Sequence, residues 1–297
     1  MSLPLIEPFG ALPVPPGVDV VGLPARVGVL TALHAAPAGE ARGTVLVVPG
    51  YTGSKEDFRE FLPLFAARGW DAWIYSQRGQ GDSAAPAGLG SYGLDAFAGD
   101  AVEVAGLVGG GRPVHLLGHS FGGVVARAAT IASPAAFASL TLLCSGPHGW
   151  PGRHAETTEI VSRDGSMGLW YRDNPDTRGV PDADLPPELA FLRLRAERTS
   201  RDNLLAGAEL LRSQPDTTAE LGATGVPVLV AHGEHDDKWP IADQRHMAER
   251  LGAAYAVIPG GGHLPQVEAP EATIEALDAF LAAQAAAGPR PPGRRDA

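Results

Sequence analysis

The stretch Leu116–Gly123 reads LLGHSFGG, and its serine, Ser120, is bracketed by Gly118, Gly122 and Gly123. A short apolar run, PVHLLGH (113–119), leads into it, and a longer one, FGGVVARAATIA (121–132), leads away. The first has the length of a buried strand and the second that of a helix. Glycines two places before and two places after a serine leave room for a turn so tight that a Cβ there collides with its neighbours. Ser120 is therefore expected at a strand-to-helix junction. That is the G-x-S-x-G nucleophile elbow, in which a strained turn exposes the serine Oγ in front of a helix N-terminus.

Outward from this junction the chain keeps the same rhythm. Strand-like runs are expected at 44–50, 70–76, 138–146, 226–233 and 253–260, with VGVLTALHA (27–35) as an early antiparallel strand. Helices are expected at 55–69, 93–108, around 240–251 and around 270–286. Strands alternating with helices predict an α/β fold: a doubly wound, mainly parallel sheet covered by helices on both faces. From Pro147 to Thr224 the rhythm stops. That stretch is polar, rich in Pro and Asp, and carries helical patterns only at 187–200 and 202–214. The expected organisation is thus a core of residues 1–146 and 225–286, interrupted by a helical cap insertion, 147–224. Residues 1–25 read as an extended lead-in, and 287–297 as a disordered tail.

The bulk numbers bound the function. At 297 residues with 44% hydrophobic and 19% charged content, the chain has ample core material. A formal charge of −11 argues against nucleic acid as a partner, because binding there relies on cations neutralising phosphates. The one cysteine, Cys144, cannot form an internal disulfide and reads as a buried, inert thiol. No N-terminal run has the pattern of a signal peptide. No apolar run approaches the roughly 20 residues of a membrane helix. The expectation is a cytoplasmic protein with no stable membrane association.

A serine hydroxyl is a poor nucleophile at neutral pH and needs an adjacent base, itself oriented by a third group. His263, in the glycine-rich PGGGHLPQVEAP after the last strand, is the best-placed histidine. The carboxylate should lie between the two in sequence, after the preceding strand, where AHGEHDDKWP supplies Asp236 and Asp237.

With these residues in hand, the chain resembles the α/β-hydrolases over about residues 27–146 and 225–286. Their G-x-x-D-x-x-x-P pattern is met by Gly233–Pro240, which places Asp236 in the acid position. G-H-x-x-x-x-E-x-P is met by Gly262-His263 through Glu268 and Pro270. QRGQGDS (77–83) is similar to the family's R-G-x-G-x-S loop, and PGYTGS (49–54) to its oxyanion loop. Two departures stand out: Pro49 replaces the usual histidine of the oxyanion loop, and Ser76-Gln77 replaces the acid often found before R-G-x-G. The resemblance implies Ser120, Asp236 and His263 as a triad. It implies the backbone N–H groups of Tyr51 and Phe121 as the oxyanion hole, and no metal or organic cofactor.

The expected activity is hydrolysis of small to medium carboxylic esters through an acyl-enzyme. Carbon–carbon bond hydrolysis, perhydrolysis or acyl transfer by the same triad remain open, as does a catalytically silent binding protein. Candidate substrate contacts are His148, Trp150 and Trp170 in the insertion and Trp239 beside the acid. Met167, Leu169, Tyr171 and Phe191 are further candidates to line an acyl pocket. Charges scattered through 147–224 disfavour a large apolar lid of the lipid-surface kind.

Overall fold

The computed structural model describes residues 3–287. Short aliphatic runs form one sheet of eight strands: β1 (Val18–Ala25), β2 (Gly28–Ala35), β3 (Thr44–Val48), β4 (Asp71–Tyr75), β5 (Val114–His119), β6 (Phe137–Leu143), β7 (Val228–Gly233) and β8 (Ala254–Ile258). Their order is β1-β2-β4-β3-β5-β6-β7-β8. β2 runs antiparallel to β1 and β4, and every other pairing is parallel. Every residue of β3, β5 and β7 is buried, as parallel strands covered on both faces must be. The expected α/β architecture is the one that forms.

The helices among the described residues are α1 (Leu62–Ala67), α2 (Leu94–Val108), α3 (Phe121–Ala132), α4 (Ala155–Asp173), α5 (Pro187–Arg198), α6 (Arg201–Ser213), α7 (Thr218–Ala223), α8 (Ile241–Leu251), α9 (Pro265–Glu268) and α10 (Pro270–Ala287). One face of the sheet is covered by α1 and α10, through Leu62, Phe65, Ile274 and Leu277. The other is covered by α2, α3 and α8, through Phe97, Val104, Val124, Val125 and Met247. From β3 the chain crosses to β4 on one side and returns to β5 on the other. The crevice above the carboxyl ends of β3 and β5 is therefore the switch point where ligands of open α/β sheets bind.

The structure corrects four expectations. Residues 1–25 are not wholly an extended lead-in, because Val18–Ala25 forms β1, paired with β2 along its whole length. Pro24 breaks the strand pattern in sequence, but it is tolerated in the outermost strand of the sheet. The single helix expected over 55–69 is split into a 3-10 turn, Lys55–Phe58, and α1, since Pro63 fits only a helix's first turn. Between β6 and β7, α5 and α6 form as expected, but α4 precedes them, kinked at Gly165 (φ 70°). Its sequence, AETTEIVSRDGSMGLWYRD, carries no apolar stripe that would reveal it. Finally, α7 packs Leu221 into the same core cluster as Met247, so the C-terminal end of 147–224 belongs to the main domain's helical layer. The tail expected over 287–297 lies outside the described residues except for Ala287, which ends α10.

Residues 3–17 contact both the sheet and the inserted helices. Leu5 bridges to Val21 of β1. The Phe9 ring meets Phe191 of α5 edge-on at 5.7 Å, and the Lys55 ammonium lies 5.3 Å from the ring centre. Lys55 is fully buried, and its charge is met by Asp82 at 2.6 Å and Glu56 at 2.9 Å. No helix among the described residues is long and apolar enough to cross a membrane.

Candidate active site

Ser120 stands between β5 and α3 at φ 54°, ψ −118°, a backbone state that non-glycine residues rarely adopt and that stores strain. The surrounding glycines make that turn possible through close approach. A Cβ on Gly118 would lie 2.5 Å from the Gly123 Cα, and one on Gly123 would lie 2.5 Å from the Ser145 Cβ. A Cβ on Gly122 would lie 2.6 Å from the Pro49 carbonyl oxygen and closer still to that of Val48. The elbow is thus wedged against the end of β3. It is tied to β6 by the Ser120 N–H, which donates to the Leu143 carbonyl at 2.9 Å.

His263, after β8, and Asp236, after β7, converge on this turn. The Ser120 hydroxyl donates to His263 Nε2 at 3.0 Å, and His263 Nδ1–H donates to Asp236 Oδ1 at 2.9 Å. Two glycines let the loops meet: a Cβ on Gly233 would sit 2.5 Å from the Gly261 carbonyl carbon, while the Gly262 and Leu264 N–H groups both donate to the Glu268 carboxylate. The Asp236 carboxylate is fully buried. Burial alone would raise its pKa, but hydrogen bonds from His263, the Lys238 N–H and Gln244 Nε2 hold it below the ordinary value. Asp237 points outward, 68% exposed, and pairs with Lys238. The structure therefore brings Asp236, and not its neighbour, to His263.

His119 contributes in a way its sequence position does not reveal. Its Nε2–H donates to the His263 carbonyl at 2.8 Å, tying the residue before Ser120 to the loop that carries His263. Burial, reinforced by the His263 charge, pushes its pKa down to about 4, so it stays neutral. The ligand atoms of His119, Cys144 and His263 lie within 4.8 Å of one another. They fit a metal poorly: His263 already engages Asp236 and Ser120 through its two nitrogens, and burial pushes the Cys144 thiol well above its ordinary value, away from thiolate.

The oxyanion-type loop packs directly on the elbow, with a Cβ built on Gly50 falling 3.4 Å from the Ser120 Cβ. Gln77 Nε2 donates to the Pro49 carbonyl at 3.0 Å, and Gln80 Nε2 to the Gly50 carbonyl at 2.8 Å. These two side chains of the QRGQGDS loop hold the carbonyls of 49–50 from behind. The Tyr51 and Phe121 N–H groups have no acceptor among the described residues. For Phe121 this follows from its place as the first residue of α3. The Tyr51 ring packs edge-on against Phe121, and its hydroxyl donates to the Leu204 carbonyl at 2.7 Å; burial pushes the phenol well above its ordinary value.

Of the four residues singled out as substrate contacts, Trp170 is buried in the wall of a cavity of about 180 Å³ that Thr52, Leu169, Leu192, Arg195 and Leu204 also line. Trp150 and Trp239 meet edge to face at 5.3 Å. His148 is half-buried and donates from Nδ1 to the carbonyl of its neighbour Gly149. Sequence reasoning missed Arg153 and His154, which stand between these aromatic groups. The sole signal was a cation and a histidine directly after WPG, with nothing to show what they would meet.

Comparison with known proteins bears on the family and the fold. A family model described as "Alpha/beta hydrolase family" matches residues 45–276. The chain is 30% identical over 206 residues, 65% of its length and 78% of the relative's, to the pimeloyl-[acyl-carrier protein] methyl ester esterase of Methylococcus capsulatus. It is 30% identical over 295 residues to polyketide synthase ThaQ of Burkholderia thailandensis, covering 94% of this chain but 13% of that much longer protein. Among solved structures, the enol-lactonase of Burkholderia xenovorans LB400 superposes with a TM-score of 0.73 at 19% identity, covering 88% of this chain and 99% of the enzyme.

Proposed function

Because the chain belongs to the alpha/beta hydrolase family, we propose that it is a serine hydrolase that cleaves carboxylic esters of small to medium acyl groups. The observation that carries this reading is the hydrogen-bonded line from Ser120 to His263 at 3.0 Å and on to Asp236 at 2.9 Å. Ser120 Oγ attacks the ester carbonyl carbon as its proton passes to His263 Nε2. Charge develops on the carbonyl oxygen, opposite the Tyr51 and Phe121 N–H groups. Asp236 stays ionised and stabilises the imidazolium. Collapse breaks the carbon–oxygen bond, and His263 protonates the departing alcohol. Water, deprotonated by His263, then cleaves the acyl-enzyme, and Ser120 regains its proton.

Helices α4–α6 act in this reading as the cap, and the cavity beside Thr52 takes the acyl group. A volume of about 180 Å³ is of the order that admits a benzene-sized group, not a long acyl chain. That methyl ester cleavage is named for one relative supports ester chemistry. The test is active-site titration with a fluorophosphonate, followed by kcat/KM for esters of graded chain length and for emulsified triglyceride. The expected result is stoichiometric labelling at Ser120 and a preference for short esters. Absence of labelling overturns the mechanism, and activation at the emulsion interface overturns the substrate size.

A further inference from the structure

The dipeptide Arg153–His154, just before α4, bridges the two sides of the site. On one side the Arg153 guanidinium lies 3.9 Å from the Trp150 ring centre and 4.2 Å from that of Trp239. Trp239 belongs to the turn of Asp236, and its backbone N–H donates to the Asp236 carboxylate at 3.4 Å. On the other side the His154 ring lies 5.1 Å from Tyr51, whose ring packs on Phe121. The pair therefore spans from the turn of the acid to the oxyanion-type loop, the two walls between which Ser120 and His263 meet.

Arg153 is the conspicuous unused group here. No carboxylate among the described residues lies within ion-pair distance of it, whereas Arg172 is engaged by Asp173 and Arg195 by Asp57. Its Nε reaches His154 Nε2 at 3.3 Å, but its Nη1 is shut off from solvent without any hydrogen bond. The indole N–H of Trp239, in the same aromatic slot, is buried and unpartnered as well. A partly buried cation with one solvent-excluded, unmet donor is costly. Two tryptophan faces offset part of that cost and keep the guanidinium in place. Burial lowers its pKa only to about 10, so it remains charged at neutral pH. The carboxylate whose charge it feels is Asp236, which is already committed to His263.

The geometry points to a carboxylate subsite: Arg153, braced between Trp150 and Trp239, receives a free carboxylate carried by a small ester substrate. The fork of a guanidinium matches a carboxylate with two parallel hydrogen bonds. This inference rests on the hydrolase reading above and sharpens it, from small esters in general to those bearing one negative charge. The overall charge of −11 does not oppose it, because exposed charges farther off than about 10 Å are largely screened at ordinary salt.

The carboxylate could sit on the acid half or the alcohol half of the ester, so two matched pairs are compared. The first sets para-nitrophenyl hemiadipate against para-nitrophenyl hexanoate, and the second butyryloxyacetate against butyryloxyacetamide. Spontaneous hydrolysis is subtracted, and enzyme is counted by fluorophosphonate titration. In at least one pair the anionic ester is expected to have about a ten-fold or greater advantage in kcat/KM, shrinking as salt is added. R153Q should bring that ratio close to one, and R153K should keep part of it. Equal rates within both pairs, or a preference that survives R153Q, overturns the subsite. If R153Q does not fold, the wild-type ratios and their salt dependence decide alone. Failure of all four esters together with absence of labelling overturns the hydrolase reading instead.

Discussion

Replacing Gly122 by alanine asks whether the elbow is as tight as it looks. The added Cβ lies 2.6 Å from the Pro49 carbonyl oxygen and nearer still to that of Val48, where real Cβ atoms essentially never approach within 3.0 Å. Relief requires the end of β3 and the start of α3 to separate by about an ångström, in an interior packed to crystal density. Neither side yields easily, for Val48 is paired to Gly118 in the centre of the sheet, and the Pro49 and Gly50 carbonyls are held by Gln77 and Gln80. Overpacking of flexible side chains costs about 1–3 kcal/mol, and here the clash is backbone on both sides. A loss of about 3 kcal/mol is expected, or roughly 5 °C in Tm for a protein of this size. The same separation moves the Tyr51 N–H away from Ser120, so fluorophosphonate labelling of the folded fraction should slow as well. Gly99→Ala, in mid α2 with nothing within 4 Å of the added methyl, is the control, expected to stabilise by about 0.5–1 kcal/mol. A G122A protein that melts within 1–2 °C of wild type and labels at the wild-type rate refutes the reasoning.

Three further outcomes are expected. Ser120→Ala should abolish ester turnover, by about 10⁴-fold or more, without lowering Tm; retention of a tenth of the activity discards the nucleophile. Asp236→Asn should cost far more activity than Asp237→Asn, since only Asp236 reaches His263 and Asp237 is exposed and paired with Lys238; kcat for the two variants in parallel decides, and the reverse ranking moves the acid. Burial holds His115, His119 and His154 at about 4, below the ordinary 6.5. The unfolded chain then binds protons that the fold refuses, so stability is full above about pH 6.5 and falls as pH drops towards 4. Thermal melts across that window should show the fall, and His115→Gln should flatten it; a Tm independent of pH over the window contradicts the assignment.

How far the sequence could be read depended on whether a residue's partners are local. The elbow was legible because its constraint is written within six residues: Gly118, Gly122 and Gly123 mark the close approaches directly. The positions of His263 and Asp236 were legible because each follows a recognisable strand, and strand order sends their loops to one end of the sheet. β1 was hidden by Pro24, and α4 by a sequence in which helical length is not accompanied by an apolar face. Arg153 was invisible for another reason. Its surroundings are made by Trp150 from one end of the inserted segment and Trp239 from the turn of the acid, and only the folded chain brings those rings together. The bond from His119 to the His263 carbonyl was hidden on the same ground. Its role in holding the His263 backbone depends on a loop far along the chain.

The contact of Phe9 with Phe191 on one side and Lys55 on the other makes a single ring common property of the N-terminal arm, the sheet domain and α5. A Cβ on the adjoining Gly10 would come to 3.0 Å from Leu194 of the same helix, so the arm follows α5 closely. Lineages that remodel the segment between β6 and β7 inherit this fit as a constraint. A new helix lacking an aromatic group opposite Phe9 would strand that ring in water and open one flank of a buried ammonium. Exchange of this segment between relatives, by recombination or by grafting in the laboratory, must therefore carry residues 8–10 and 187–198 together, although they lie far apart in the gene.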